Sequence, residues 1–402
     1  MGWSAFRPSG LTHIDDRTCG GYTLLTPIGG DATFLIDENG KIVHYWKPDN
    51  FMPGYGYMLP GGRLLVRGQP MVENEVGIGE PAGGADVLLE LDWDGNELWR
   101  WEHKTFHHDM AVLPNGNIVV PTWTVIPEDI AAKVQGGLEQ DEIDYINSHP
   151  EHLKMILRGI GVGGRPRDLK GLMGDRLIEV TREGEVVNEW LSWKPFDTEK
   201  DVICPREFLG EWTHCNTVEY VEDGSLLLSF REISTVLKLS WPDGKVLWRY
   251  GFPAISHQHD PSVTPEGNIL IFDNGVHHPV TAHTRVIEVD PKTNEIVWQY
   301  LPKVVYQLYC GHVGGAQRLP NGNTMICEGE TGRLLEVTPD CDVCWEWCSP
   351  FRYKWKGVIS AMIFKTHRYM ANSTELTGMT FGKDGCDDYN TEWSLTKTIP
   401  AS

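Results

Sequence analysis

The chain has 402 residues, 41% of them hydrophobic, which is enough to bury a sizeable core. Its 56 acidic and 35 basic residues give a net charge of −21, which argues against nucleic acid and anionic membranes as partners. No apolar run approaches the roughly 18 residues that a membrane-spanning helix needs. The start, MGWSAFRPSG, lacks a signal-peptide pattern. We expect a cytoplasmic protein as given, or a periplasmic one if the sequence is a processed form.

One hairpin pattern recurs along the chain: an apolar pair, a polar turn, an apolar run and a Trp or Tyr. In chain order the copies are FLIDENGKIVHYW, LLELDWDGNELWRW, RLIEVTREGEVVNEW, VLKLSWPDGKVLWRY, RVIEVDPKTNEIVWQY and RLLEVTPDCDVCWEW. A second hairpin, such as HDPSVTPEGNILIF, lies between successive copies. Two hairpins per unit of roughly 50 residues predict four-stranded blades, and hence an all-β, six-bladed β-propeller over residues 1–402. We expect SAMIFKTHRYMA or GYTLLTPIGG to complete the sixth blade.

The spacing of the pattern breaks once, between the second and third copies. Residues 124–175 include EDIAAKVQGGLEQDEIDYINSHPEHLKMILRG, whose apolar residues recur at helical spacing. This predicts a helical insertion between blades 2 and 3, either a lid over one face or a surface excursion without a role. Residues 365–402 are predicted to form a C-terminal tail.

The second hairpins carry histidines at matched positions relative to their turn glycines. Ten residues before the glycines stand Phe106, His214, His257 and His312, and eight residues before them stand His108, Asn216, His259 and Gly314. Side chains two apart on a strand share a face, and innermost strands line a propeller's channel. The residues expected around one cavity are therefore His108, His214, Asn216, His257, His259 and His312, with Arg231 near the mouth. The loop residues His277, His278 and His283 are expected to be exposed.

A channel with several imidazoles and a guanidinium supports two kinds of chemistry. A neutral imidazole can attack a sulfuryl or phosphoryl group while cationic neighbours stabilise the transferring oxygens. Alternatively, His108, His214, His259 and His312 can hold a divalent metal such as Zn or Mn for lyase or hydrolase chemistry. A non-enzymatic scaffold is a third hypothesis. Aromatic residues close in sequence to these strands either form a wall for a phenolic ring or pack in the core; they are Trp123, Trp212 and Tyr309.

Three segments, HHD, THCNTVEYVEDGSLLLSFRE and QHDPSVTPEGNILIFDNG, resemble the bacterial arylsulfate sulfotransferase family. The resemblance runs over most of the chain and implies a six-bladed propeller that moves a sulfuryl group from an aryl sulfate to a phenol. It implies no nucleotide donor and no cofactor, and a small aromatic molecule as the partner. By motif match, His259 is the transiently sulfated histidine, while His214, Arg231 and His108 are the other catalytic residues. The predicted substrate-binding residues are Asn216, which fits the motif, and His257 and His312, which are placed by position alone.

Overall fold

A computed structural model of the protein describes residues 9–71, 83–138, 148, 171–208, 210–279, 281–355 and 358–395. The fold is the predicted all-β, six-bladed β-propeller. In chain order the described strands are β1 Gly10–Ile14, β2 Tyr22–Leu25, β3 Thr33–Ile36, β4 Ile42–Trp46, β5 Phe51–Leu59, β6 Arg63–Pro70, β7 Val87–Leu91, β8 Glu97–Glu102, β9 Ala111–Val112, β10 Ile118–Val125, β11 Gly136–Leu138, β12 Met173–Val180, β13 Val186–Leu191, β14 Ile203–Phe208, β15 Cys215–Tyr220, β16 Ser225–Phe230, β17 Thr235–Ser240, β18 Val246–Gly251, β19 His259–Val263, β20 Ile269–Asp273, β21 Arg285–Val289, β22 Ile296–Tyr300, β23 Gly315–Arg318, β24 Thr324–Glu328, β25 Arg333–Val337, β26 Val343–Cys348, β27 Tyr353–Trp355, β28 Val358–Ser360 and β29 His367–Tyr369. The described α-helices are α1 Glu128–Ala131 and α2 Cys386–Leu395, and the 3₁₀ turns are Val305–Gln307 and Gly329–Thr331. Within these ranges, no helix combines the length and apolar character needed to cross a membrane.

Each blade is an antiparallel sheet of four or five strands. The strand orders are β29-β2-β3-β4, β5-β6-β7-β8, β9-β10-β12-β13, β15-β16-β17-β18, β19-β20-β21-β22 and β23-β24-β25-β26-β1 for blades 1 to 6. Both segments expected to complete the sixth blade lie instead in the first, because β29 from SAMIFKTHRYMA pairs with β2 from GYTLLTPIGG. The sixth blade has four strands of its own, and β1 pairs with β26 as its fifth.

The chain divides into two compact units. Unit 1 comprises Met1–Val76, Ala85–His103 and Gln299–Ser402, and unit 2 comprises Gly77–Gly84 and Lys104–Trp298. Blades 3 and 4 lie in unit 2, as does blade 5 up to the last residues of β22. Of the predicted site residues, His312 alone belongs to unit 1.

The central strands carry uninterrupted apolar runs because a blade buries both of its faces. All six residues of β16 are buried. Leu226 and Leu228 pack in a core that includes Leu177 of blade 3, whereas Leu227 packs with Ile271 of blade 5. Successive side chains of a strand point to opposite faces, so adjacent leucines serve different interfaces. This explains why LLL occurs where a sheet with one solvated face would alternate apolar and polar residues.

The Trp that closes several copies of the repeat packs against a turn glycine of the next blade. Gly244, with a φ of 68°, lies so close to the indole of Trp190 that an added Cβ would overlap it. Gly40, with a φ of 74°, has the same relation to Trp347. Glycine is favoured at both turns by the left-handed backbone and by the contact with the indole.

The interrupted region 124–175 connects β10 to β12, so it lies within blade 3 rather than between blades 2 and 3. The strands before it, β9 and β10, and the strands after it, β12 and β13, belong to one sheet. The repeat pattern does not reveal this. Its described part contains α1 and β11, and β11 pairs in parallel with β14. The predicted longer helices fall at 139–147 and 149–170, outside the described residues, so the helical insertion and the lid stay predictions. The predicted tail, 365–402, contributes β29 and α2.

Candidate functional site

Three histidines precede or approach the first strands of neighbouring blades in the same unusual backbone conformation. His108, His214 and His257 have φ angles of 54°, 56° and 58°. Non-glycine residues adopt positive φ rarely and at a cost of about 1–3 kcal/mol, and such residues concentrate at functional sites. By backbone conformation, His108, His214 and His257 are therefore the equivalent residues of blades 3, 4 and 5. Alignment on the turn glycines instead matches His108 with Asn216 and His259, which is an offset of two residues.

The left-handed conformation also changes the relation between His257 and His259. His257 precedes β19, which begins at His259, so the alternation of side chains along a strand does not apply to the pair. The two imidazoles have different partners: His257 lies 3.1 Å from the carboxylate of Glu207, and His259 contacts Asn274. The sequence predicts that the His257 and His259 side chains share one face of a strand, and these different partners do not follow from that arrangement.

His108 and His214 are in direct contact, as the sequence predicts. Their ring centroids lie 4.5 Å apart in an edge-to-face arrangement, and both residues are buried. The His214 Nδ1 donates a short hydrogen bond to the carboxylate of Glu211. Burial alone would lower the pKa of His214, but the Glu211 carboxylate outweighs burial and the pKa is raised. The His214 imidazole therefore favours the cationic form.

Arg231 is buried in an ion-pair network with two carboxylates. Its guanidinium Nη1 is 3.0 Å from a carboxylate oxygen of Glu207 and 2.6 Å from one of Glu232. Its backbone N–H donates to the carbonyl of His214 at 3.0 Å, which joins the network to the imidazole pair. Burial raises the pKa of Glu207 to about 7, and burial with the neighbouring Glu207 carboxylate raises that of Glu232 to about 8. Near neutral pH the two carboxyls are therefore not both fully ionised. Their combined negative charge is less than two units, against the single positive charge of Arg231.

His259 contacts a residue of its own blade, blade 5, at the end of β20. Its Nδ1 lies 2.7 Å from the Oδ1 of Asn274, and both residues are buried. On the other side, the Nδ2 of Asn216 donates to the carbonyl of Gln258 at 2.9 Å, which fixes the residue preceding His259. The backbone N–H of Asp260 donates to the hydroxyl of Thr217 at 3.0 Å. Blade 4 thus binds the chain on both sides of His259.

A third group surrounds His257. Its imidazole packs edge to face on His277 with ring centroids 4.6 Å apart, and His277 Nδ1 lies 3.2 Å from the sulfur of Cys204. Burial lowers the pKa of His257 well below its usual value and that of His277 to about 3. Burial raises the pKa of the Cys204 thiol to about 11. The expectation that His277 is exposed is wrong, because the loop after β20 folds the ring against His257 and leaves the residue 9% exposed.

His312 is described within unit 1. Its side chain is 42% exposed, and its Nδ1 lies 3.8 Å from the carboxylate of Glu330. In the described residues, donor atoms close enough to share one ion form two groups, Cys204–His257–His277 and Glu207–Glu232–His257. Neither group coincides with the predicted metal set of His108, His214, His259 and His312, and both include His257.

Sequence reasoning missed most of the partners that define this site. Glu211 stands three residues before His214 in EWTH, and Glu232 directly follows Arg231, so both are close in sequence to recognised residues. Cys204 and Glu207 lie in CPREF, on β14, which has no counterpart in the repeat. Of the aromatic candidates, Trp123 stacks on His107 at 4.3 Å and Trp212 is fully buried, so both pack within the structure.

The protein is a β-propeller that contains a cluster of buried histidines, carboxylates and an arginine with shifted pKa values. Such clusters are typical of enzyme sites. Residues 178–350 match the model of the arylsulfotransferase (ASST) family. The chain therefore resembles that family, as its motifs indicate, over the stretch that holds His214, Arg231, His257 and His259. No curated protein matches the chain in sequence.

Several solved structures match the chain at low identity. A protein of unknown function from Bacteroides caccae matches with a TM-score of 0.50 and 13% identity, covering 86% of this chain and 98% of that one. A streptogramin B lyase matches with a TM-score of 0.45 and 12% identity, covering 90% and 93%. Virginiamycin B lyase from Staphylococcus aureus matches with a TM-score of 0.42 and 11% identity, covering 84% and 83%. The first of these supports the fold, and the reaction has to be argued from the residues of this chain.

Proposed function

We propose that the protein transfers a sulfuryl group from an aryl sulfate ester to a phenolic acceptor through a sulfo-histidine at His259, without a nucleotide or other cofactor. The hydrogen bond between His259 Nδ1 and Asn274 Oδ1, 2.7 Å long, carries this proposal. An amide oxygen only accepts, so the proton resides on Nδ1 and the lone pair on Nε2. A neutral imidazole held in this tautomer is a nucleophile at its other nitrogen.

In the first half-reaction the Nε2 lone pair of His259 attacks sulfur. The N–S bond forms as the S–O bond to the aryl group breaks, and the phenolate leaves with the electron pair. In the second half-reaction an acceptor phenol attacks the same sulfur, the N–S bond breaks, and the phenolic proton passes to a neighbouring imidazole, for which His108 is the candidate. Splitting the transfer into two displacements restores His259 for the next cycle.

The charge on the sulfuryl oxygens needs cationic partners in a site shielded from water. His214 supplies one, because the Glu211 carboxylate favours its imidazolium form. Arg231, whose backbone N–H donates to the carbonyl of His214, supplies a permanent charge, and the raised pKa values of Glu207 and Glu232 limit the extent to which they neutralise it. Asn216 acts in this scheme by holding the backbone next to His259. Substrate binding by His257 and His312 stays a prediction.

The test is turnover of 4-nitrophenyl sulfate in the presence and absence of a phenol, read by release of 4-nitrophenolate. The proposal expects acceptor-dependent release that is lost in His259→Ala. His283→Ala is the matched control, since this imidazole lies on the same blade and contacts the carbonyl of Thr281 instead of the cluster. Absence of release by the unmodified protein, or equal release by His259→Ala, contradicts the proposal and favours a non-enzymatic propeller.

A further inference from the structure

The group around His257 contains metal-ligating side chains that the transfer reaction does not use. The Cys204 sulfur, one nitrogen of His257 and one nitrogen of His277 all lie within 4.8 Å of one another. The nearest measured pair, Cys204 Sγ and His277 Nδ1, is separated by 3.2 Å. In a tetrahedral zinc site with bonds of about 2.0–2.3 Å, neighbouring donor atoms lie roughly 3.3–3.8 Å apart. The three donors therefore need only small shifts to share one ion.

Two of the ring nitrogens in this group have no hydrogen-bond partner among the described residues. They are the Nε2 atoms of His257 and His277, which are fully enclosed, and the residues themselves are 1% and 9% exposed. Glu207 Oε1, which is ion-paired with Arg231 Nη1 at 3.0 Å, also lies 3.1 Å from His257 Nε2 and 3.7 Å from His277 Nδ1. Leaving a buried polar group unsatisfied costs about 1–3 kcal/mol. Two enclosed imidazole nitrogens without a partner in one buried group indicate a missing ligand beside them.

The charges around the group favour a cation as that partner. Glu207 and Glu232 are buried together with one guanidinium, Arg231. With both carboxyls ionised, these three groups sum to a charge of −1; a dication bound together with a Cys204 thiolate adds +1, so the five charged groups then sum to zero. Thiolate and imidazole ligands together select a borderline metal such as zinc over magnesium or calcium.

We propose that Cys204, His257 and His277 bind one divalent ion of the zinc class, with Glu207 as the nearest carboxylate for the fourth position. The ligands come from three separate segments, namely β14, the residue pair before β19 and the loop after β20. An ion at this point fastens the otherwise unrepeated strand β14 to the inner end of blade 5. His257 is then a metal ligand rather than a substrate-binding residue, and the proposed transfer at His259 does not depend on it.

The site is tested by treating the full-length protein with a chelator and titrating it with Co²⁺. Thiolate ligation gives a sulfur-to-cobalt charge-transfer absorption, and Zn²⁺ displaces the cobalt. We expect saturation at one equivalent with this absorption in the unmodified protein. Cys204→Ser should abolish it, while Cys341→Ser, a control at another half-buried free thiol, should retain it.

His277→Gln keeps every cysteine and covers the case in which Cys204→Ser does not fold. It should weaken Co²⁺ binding by more than about 10–100-fold, the loss typical of removing only a hydrogen-bond partner of a ligand. No saturable absorption in the unmodified protein, an undiminished band in Cys204→Ser, or unchanged affinity in His277→Gln each overturns the proposal. The cobalt titration contains no sulfate ester, so absence of metal binding does not contradict the proposed sulfuryl transfer. Likewise, absence of sulfuryl transfer does not contradict the proposed metal site.

Discussion

Asn274 offers a sharp test of the proposed nucleophile, because its side-chain oxygen accepts the Nδ1 proton of His259. Asn274→Ala removes the acceptor for the Nδ1 proton and leaves a buried N–H without its 2.7 Å partner. An unsatisfied buried donor costs about 1–3 kcal/mol. If that cost falls on the reacting tautomer, kcat/KM for aryl sulfate decreases by about 5- to 150-fold, at 1.36 kcal/mol per factor of ten.

Asn274→Asp has nearly the same shape and a distinct signature. A carboxylate at this position stabilises the protonated imidazole of His259, which has no lone pair for attack. The acid limb of the pH–rate profile should therefore move to higher pH, whereas a purely structural role for Asn274 predicts lower activity at every pH without displacement of the limb. The assay is 4-nitrophenolate release from pH 5 to 9.

The matched control is Asn268→Ala, on the same blade. Asn268 donates to the Glu288 carboxylate at 2.7 Å, so its loss also removes a side-chain hydrogen bond, but away from His259. It should leave kcat/KM within about twofold, since the cost falls on folding rather than on the reacting tautomer. Equal activity in Asn274→Ala and the unmodified protein, or an undisplaced acid limb in Asn274→Asp, refutes the reasoning about the tautomer.

Three further predictions address other parts of the structure. Glu211→Gln removes the carboxylate that raises the pKa of His214, so the alkaline limb of the pH–rate profile should move to lower pH; an unmoved limb would count against the cationic role of His214. Arg231→Met leaves two buried carboxyls without their cation and should lower the free energy of unfolding by about 3–5 kcal/mol in urea titrations near pH 7. Burial against Trp93 lowers the pKa of His44 to about 4, so its contribution to stability is present above pH 6.5 and is lost as the pH falls through 4. That contribution is worth about 3 kcal/mol. In His44→Gln the midpoint of urea unfolding should therefore decrease less between pH 7 and pH 4 than in the unmodified protein. An equal decrease in both proteins would contradict this prediction.

The sequence predicts the propeller well because each blade repeats the same physical requirements. Apolar runs such as LLL in β16 are buried on both faces, and a turn glycine must make room for the neighbouring Trp. These constraints are local to adjacent blades and recur at a fixed spacing, so pattern alone reveals them. The assignment of the terminal segments to blade 1 depends on pairing between β2 and β29, more than 300 residues apart, which no repeat encodes.

The candidate site is only partly accessible to the same reasoning. His108 and His214 occupy equivalent backbone positions and meet as predicted. Their alignment with His257, however, depends on a left-handed residue ahead of the strand, and a count from the turn glycine does not detect this conformation. Glu207 and Cys204 reach His257 from β14, which stands outside the repeat, so their contribution follows from tertiary structure alone.

The most direct measurement is the mass of the protein after brief incubation with excess 4-nitrophenyl sulfate and no acceptor. The account predicts a covalent addition of about 80 Da, the mass of SO₃ on a nucleophilic side chain. Peptide mapping should place the addition on His259, and a phenol should discharge it. An unmodified mass under conditions of turnover, or an adduct that persists in His259→Ala, would contradict the account.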